Sequence, residues 1–150
     1  MIRTPLKAGL TAVLTALSAG AAAAPFAYVP NEKSASVSVI DTATDTVTAT
    51  LPGGKRPRGI ATDGKQLFIS EAPSNGLAVI DIARARETKR IRLGESPEGV
   101  SISADGKLIA AAVEESNSVA ILDTKTHRKL AEIRVNGDNP EHAVFSPDSR

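Results

Sequence analysis

Seven side chains able to do chemistry sit at matching places in a repeated pattern. Arg56, Arg58, Glu98, Glu141 and His142 flank a recurring proline, and Glu71 and Glu114 follow a recurring strand. Guanidinium and carboxylate groups gathered in one place can hold a polar ligand or a partner's charged patch through charge-assisted hydrogen bonds. His142 adds an imidazole, which titrates near neutral pH and serves as a proton carrier or ligand. The same charges can also do something plainer, pairing with one another on exposed loops, where such pairs are worth ~0–1 kcal/mol. No catalytic residue is assigned: the chain has no Gly-x-Ser-x-Gly elbow, no His-Glu-x-x-His pair and no acidic calcium loop. It has no cysteine either, which excludes covalently attached c-type haem, cysteine metal sites and thiol catalysis. No cofactor and no metal site are expected.

The pattern that carries these residues is Gly-x-x-Pro-x-Gly/His. It occurs at Gly54–Gly59, Gly94–Gly99 and Gly137–His142. Two other signals keep step with it: Val39-Ile40-Asp41, Val79-Ile80-Asp81 and Ile121-Leu122-Asp123, then Asp63-Gly64-Lys65, Asp105-Gly106-Lys107 and a degraded Asp148-Ser149-Arg150. Equivalent residues lie 40 to 43 apart, the length of a four-stranded propeller blade.

Each repeat reads as four short strands. In the second copy these are Pro57 to Thr62, Lys65 to Ser70, Leu77 to Ile80 and Thr88 to Leu93; in the third, Val100 to Ser103, Leu108 to Val113, Val119 to Leu122 and Leu130 to Val135. Asp-Gly supplies the hairpin turn, and the final strand alternates with the period of two that marks a half-exposed outer strand. No stretch after the leader has helical periodicity, so the fold class expected is all-β, a propeller of four-stranded antiparallel meander blades. The boundaries are 24–54 for a partial first blade, 55–94 and 95–137 for the second and third, and 138–150 for the first strand of a fourth. Because the connections of a meander alternate between ends, the loop residues Asn31, Glu71, Asn75, Glu114 and Asn117 fall on the same face as Arg56, Arg58, Glu98, Glu141 and His142. That is the channel face. His142 replaces the glycine of the other copies, which reads as a loop position needing positive φ, a geometry in which His is enriched. His127 matches Asp45 in a turn on the opposite face. The basic run Arg84, Arg86, Lys89, Arg90, Arg92 is read as a device that blunts an outer edge; nucleic acid is not an expected partner.

Residues 1–23 read as a cleavable signal peptide. Arg3 and Lys7 form its positive start, Ala8 to Ala19 is apolar, and Ala21 to Ala24 offer cleavage after Ala23 or, second, Ala24. The apolar run is shorter than the roughly 20 residues a membrane span needs, so the expected location is the periplasm or the exterior, with no membrane span after cleavage. Without Arg3 and Lys7, 16 basic residues face 17 acidic ones. That balance gives no bulk attraction to nucleic acid or membrane.

The segments Tyr28-Val29-Pro30-Asn31, Val37 to Thr44, Arg56-Pro57-Arg58-Gly59 and Ser103 to Lys107 resemble the YVTN-family β-propeller repeat. Their order is similar to that of exported propellers associated with PQQ-dependent alcohol catabolism. The resemblance implies a ring of about seven blades, of which about three are present, completed by missing blades or by self-assembly. It implies a non-catalytic scaffold that takes a protein partner or a small polar ligand at its channel face. The alternative it leaves open is a propeller enzyme, a lactonase-like hydrolase or a haem-d1, nitrite-reductase-like protein, with active residues partly in missing blades and His142 as the candidate axial ligand. A PQQ enzyme of this type would carry repeated tryptophans, and the chain has none.

Overall fold

The computed structural model describes residues 25–149. The expected signal peptide, residues 1–23, lies outside them. Among the described residues eleven strands form three antiparallel sheets, each a simple meander. The first blade holds β1 (Phe26–Asn31), β2 (Ser36–Asp41) and β3 (Thr46–Pro52). The second holds β4 (Pro57–Thr62), β5 (Gln66–Glu71), β6 (Gly76–Asp81) and β7 (Arg86–Arg92). In the third are β8 (Pro97–Ile102), β9 (Leu108–Val113), β10 (Ser118–Asp123) and β11 (Lys129–Arg134). Among the described residues no helix is long and apolar enough to cross a membrane.

The turns follow from aspartates that bond the backbone ahead of them. Asp63 Oδ1 accepts the N–H groups of Lys65 and Gln66 at 2.8 and 2.7 Å. Asp81 takes that of Arg84 at 2.8 Å, and Asp123 takes those of Lys125 and Thr126 at 3.0 and 2.6 Å. The same geometry sets the charge of Asp105: the Lys107 side chain, the Ser103 hydroxyl and the Lys107 N–H hold its carboxyl down at about 2. Each outer hairpin closes through a left-handed residue at one equivalent place, Asp45, Ala85 or His127. Each also carries a bulge at the same register point, after Val39, Val79 or Ile121. The repeat thus extends to backbone irregularities.

The sheets pack face to face. Val37, Val39 and Leu51 of the first blade meet Leu67, Ile69, Ala78 and Ile80 of the second. From the second blade's other side, Phe68, Leu77 and Val79 meet Val100, Ile109, Ala111, Ala120 and Leu122 of the third. Alternation along β5 and β6 therefore sends neighbouring residues into two different cores, which is why the runs Leu67-Phe68-Ile69 and Leu77 to Ile80 are apolar without a break. His127 edges onto Phe68, with ring centroids 5.9 Å apart, and its Nε2 lies 3.3 Å from Gln66 Oε1 across the blade boundary. Burial there, with Lys89 nearby, holds its pKa below the ordinary value.

Toward the propeller axis the innermost strands come closest. A β-carbon on Gly59 would collide with the Glu98 carbonyl oxygen and lie 2.6 Å from Val100 N; one on Gly99 would strike the His142 ring and lie 2.7 Å from Glu141 O. The Ser70 hydroxyl accepts from Gly59 N–H at 2.7 Å and donates to Glu98 C=O, tying the second blade to the third. Gly99 N–H makes the next link itself, to Glu141 O at 2.7 Å.

Two expectations are corrected here. Gly59 and Gly99 do not have positive φ, so the motif glycine serves close approach and not a left-handed turn; His142 has no such φ either and lies against Gly99. The left-handed residue is the one before the proline: Arg56, Ser96 and Asn139 have φ of 48°, 52° and 53°. Nor does a strand form over 143–146, because a strand needs a ladder partner and no neighbour among the described residues supplies one. The motif glycine generates a test: Gly59→Ala forces a backbone shift in the adjacent blade and lowers stability by about 3 kcal/mol in urea unfolding, the upper part of the usual range for overpacking.

Candidate functional site

Of the expected site residues, Arg56, Arg58, Glu98 and Glu114 come together on connections and bulges, through Glu32 and Ser96. In β4 the pairing steps from Pro57↔Glu71 to Ile60↔Ile69, and in β8 from Pro97↔Val113 to Val100↔Ala111. One extra residue sits in each innermost strand there, a bulge that re-aims its side chains. Arg58 and Glu98 are the residues inside those bulges. They meet each other, Arg58 Nη2 lying 3.0 Å from Glu98 Oε1.

From this pair a polar belt runs across three blades. Glu32, just after β1, takes Arg56 at 2.7 Å and lies 3.8 Å from Arg58. The Arg56 hydrogen bond and the charges of both arginines draw the Glu32 carboxyl below its ordinary pKa. On the other side Ser96 Oγ donates to Glu114 at 2.9 Å and lies 3.5 Å from Glu98. Glu98 is nearly buried, with its side chain 7% exposed, whereas Arg58 is 38% and Arg56 61% exposed. The belt therefore has a fixed inner carboxylate and an accessible cationic rim. Glu141 and His142 continue the line beside Gly99 through the Glu141 carbonyl.

Glu71 is different. It is fully buried, and its Oε1 accepts Lys55 N–H at 2.6 Å while Oε2 takes the Ser74 hydroxyl at 2.5 Å and Arg90 Nη1. Arg90 reaches there from the outer strand β7 and also holds Glu87 at 2.6 Å. One member of the basic run, read from sequence as blunting an edge, is thus turned back onto a buried carboxylate. The third blade replaces Glu71 by Val113, which Gly94 approaches as Gly54 approaches Glu71. The Glu71 cluster is a blade-specific clamp between β5, β7 and the loop before β4.

Sequence reasoning missed Glu32, Ser96, Ser74 and Arg90. Glu32 occupies in the first blade the place of Glu114 in the third, so alignment of the copies carried its signal. Arg90 had only its alternation with Ile91, which does not show which way a long side chain bends.

With this geometry established, comparison with known proteins identifies the repeat. A family model described as a YNCE-like beta-propeller matches residues 6–103. The chain belongs to that family. Among solved structures, this YNCE-like propeller is similar to Kuenenia stuttgartiensis hydrazine synthase, with a TM-score of 0.75 and 31% identity over 81% of this chain and 36% of that one. It is also similar to the dihydro-heme d1 dehydrogenase NirN in complex with DHE, with a TM-score of 0.59 and 15% identity over 78% of this chain and 27% of that one; this second likeness shows the fold alone. The chain thus spans 36% and 27% of the lengths of these two structures. No curated protein matches it.

The clamp yields a prediction distinct from the belt. Arg90→Ala leaves the Glu71 carboxylate buried without its cation and lowers stability by about 2 kcal/mol in urea unfolding, below the ~3–5 kcal/mol of a fully buried pair because Arg90 is partly exposed.

Proposed function

We propose that this YNCE-like propeller is an exported, non-catalytic binding scaffold whose channel face takes a small polar ligand or a protein partner bearing carboxylates. One observation carries the reading. Arg56 and Arg58, separated by a proline, share a single exchangeable carboxylate, Glu32, at 2.7 and 3.8 Å, while Glu98 fixes Arg58 from below. An incoming carboxylate displaces Glu32 and meets two guanidiniums already oriented, so little ordering entropy opposes binding. Loops on a rigid scaffold are where propellers and other folds place recognition.

Calorimetric titration with small mono- and dicarboxylates and with acidic peptides tests this. Binding falls at least about tenfold, or 1.4 kcal/mol, in Arg56→Ala and Arg58→Ala and weakens with salt. Affinities unchanged by both substitutions overturn the Arg56–Arg58 site, and lactone turnover abolished by Glu141→Ala or His142→Ala overturns the non-catalytic reading. Export has its own readout: N-terminal sequencing of the periplasmic or secreted protein finds Ala24 first, and recovery of an intact Met1 overturns it.

A further inference from the structure

The outer strands of the second and third blades carry charge that the fold does not call for. Five of the nine residues Arg84–Arg92 are basic and one, Glu87, is acidic; among the ten residues 125–134 four are basic and one, Glu132, is acidic. The near balance of the whole chain conceals this segregation. In the first blade β3 makes the same outer strand from Thr46 to Pro52 without a charged residue. Blunting an edge against strand pairing therefore does not account for the cations, since one outer edge of the three is built without them.

Internal pairing does not account for them either. Arg84 is taken by Asp81, Arg90 by Glu71 and Glu87, and Lys129 by Glu132. Arg86, Lys89, Arg92, Lys125, Arg128 and Arg134 are exposed, and none lies within ion-pair distance of a carboxylate among the described residues. The two strands form one surface. Lys89 Nζ of β7 donates to the Thr126 carbonyl, 3.3 Å away in the turn before β11, and Lys129 Nζ of β11 reaches the Leu93 carbonyl at 3.5 Å, just after β7.

This surface does not depend on what stands beside the third blade. The second blade packs against a blade on each side, and Arg86, Thr88, Lys89 and Arg92 are exposed there all the same, so these register positions lie on the perimeter. Arg128, Leu130 and Arg134 hold the places of Arg86, Thr88 and Arg92 in the third blade. Leu130 departs from the repeat in a telling way. At the bulge the Thr48 and Thr88 hydroxyls donate to the Val39 and Val79 carbonyls at 3.3 and 3.2 Å; leucine cannot make that bond, and Leu130 is 51% exposed. The third blade thus gives up a hydrogen bond of the fold and sets an aliphatic side chain among cations.

We propose that the outer edge of the second and third blades docks on the surface of an anionic phospholipid bilayer, with the unpaired cations at the headgroup phosphates and Leu130 entering the boundary between headgroups and acyl chains. A nucleic-acid strand shares the charge chemistry. Neither segment, however, has an aromatic side chain on which a base could stack, and such a polymer offers an exposed leucine nothing apolar to enter.

Flotation of the chain with vesicles of phosphatidylcholine, with and without phosphatidylglycerol, tests this. Binding is at least about tenfold stronger with the anionic lipid and weakens as salt rises. Arg86→Gln combined with Arg128→Gln lowers the anionic-vesicle affinity at least about tenfold, because each cation near such a surface is worth about fivefold. The charge-matched pair Lys33→Gln and Lys55→Gln, away from the outer strands, changes it less than about twofold. Leu130→Thr, which installs the residue type of the other copies, lowers it at least about twofold with the β-sheet circular dichroism retained. Equal binding to neutral and anionic vesicles, binding to neither, a loss in the Lys33–Lys55 pair as large as in the Arg86–Arg128 pair, indifference to Leu130→Thr, or displacement of most of the protein from anionic vesicles by DNA at equal phosphate concentration each overturns the proposal.

Discussion

The closeness of backbone to backbone at the propeller axis is the constraint on which the rest depends. Gly59 lies against Glu98 and Val100, and Gly99 lies against Glu141 and the His142 ring, at separations that leave no room for a side chain. Blades that converge so tightly on one side diverge on the other, so the outer strands β3, β7 and β11 are largely solvated, with every residue of β11 exposed. Side-chain size follows that taper. Large apolar residues fill the space between the middle strands, and serine or alanine stands opposite the bulges of the innermost strands, Ser70 and Ala112.

Close approach has a polar consequence. Bulged residues in β4 and β8 cannot complete their ladders, so their amides need other partners, and buried amides are seldom left unpaired. Gly59 finds the Ser70 hydroxyl, which passes the bond on to the Glu98 carbonyl; Gly99 bonds Glu141 directly, with Ala112 where the serine would be. The two boundaries solve one problem differently. The same bulges turn Arg58 and Glu98 toward each other, so the belt of charges is a product of blade convergence before it is anything else.

That origin explains which parts were legible in the sequence. Strand order and turn chemistry could both be read, because Asp-Gly, Val-Ile-Asp and Gly-x-x-Pro are local signals repeated in step. The meaning of the motif glycine could not. Positive φ and close approach both select glycine, and only the neighbouring blade, 40 residues away in sequence, distinguishes them. The left-handed residue was instead Arg56, Ser96 or Asn139, none of which advertises such a φ when followed by proline. The site was legible as a set of charges on one face and illegible as pairings. Glu71 and Glu98 look alike in sequence, yet one is saturated by Lys55 N–H, Ser74 and Arg90 and the other holds Arg58 across a blade boundary.

The repeat itself separates scaffold from recognition within the belt. A feature present in every copy belongs to the fold: the left-handed residue before each motif proline occurs three times, so its strain, although of the kind often concentrated at functional sites, marks a blade crossing here. Features present once need a separate cause. The Glu71–Arg90 clamp is unique to the second blade, but its buried carboxylate is saturated by Lys55 N–H, Ser74 and Arg90, which accounts for it as local stabilisation. The Arg56–Pro57–Arg58 triplet is also unique, with Ser96–Pro97–Glu98 and Asn139–Pro140–Glu141 in the other copies, and it is held differently, since Arg56 pairs with the half-exposed Glu32, which lies 3.8 Å from Arg58, while Arg58 bonds Glu98. A local, unrepeated concentration of accessible positive charge, set on an inner strand whose bulge belongs to the fold, is the part of this face that blade construction does not account for.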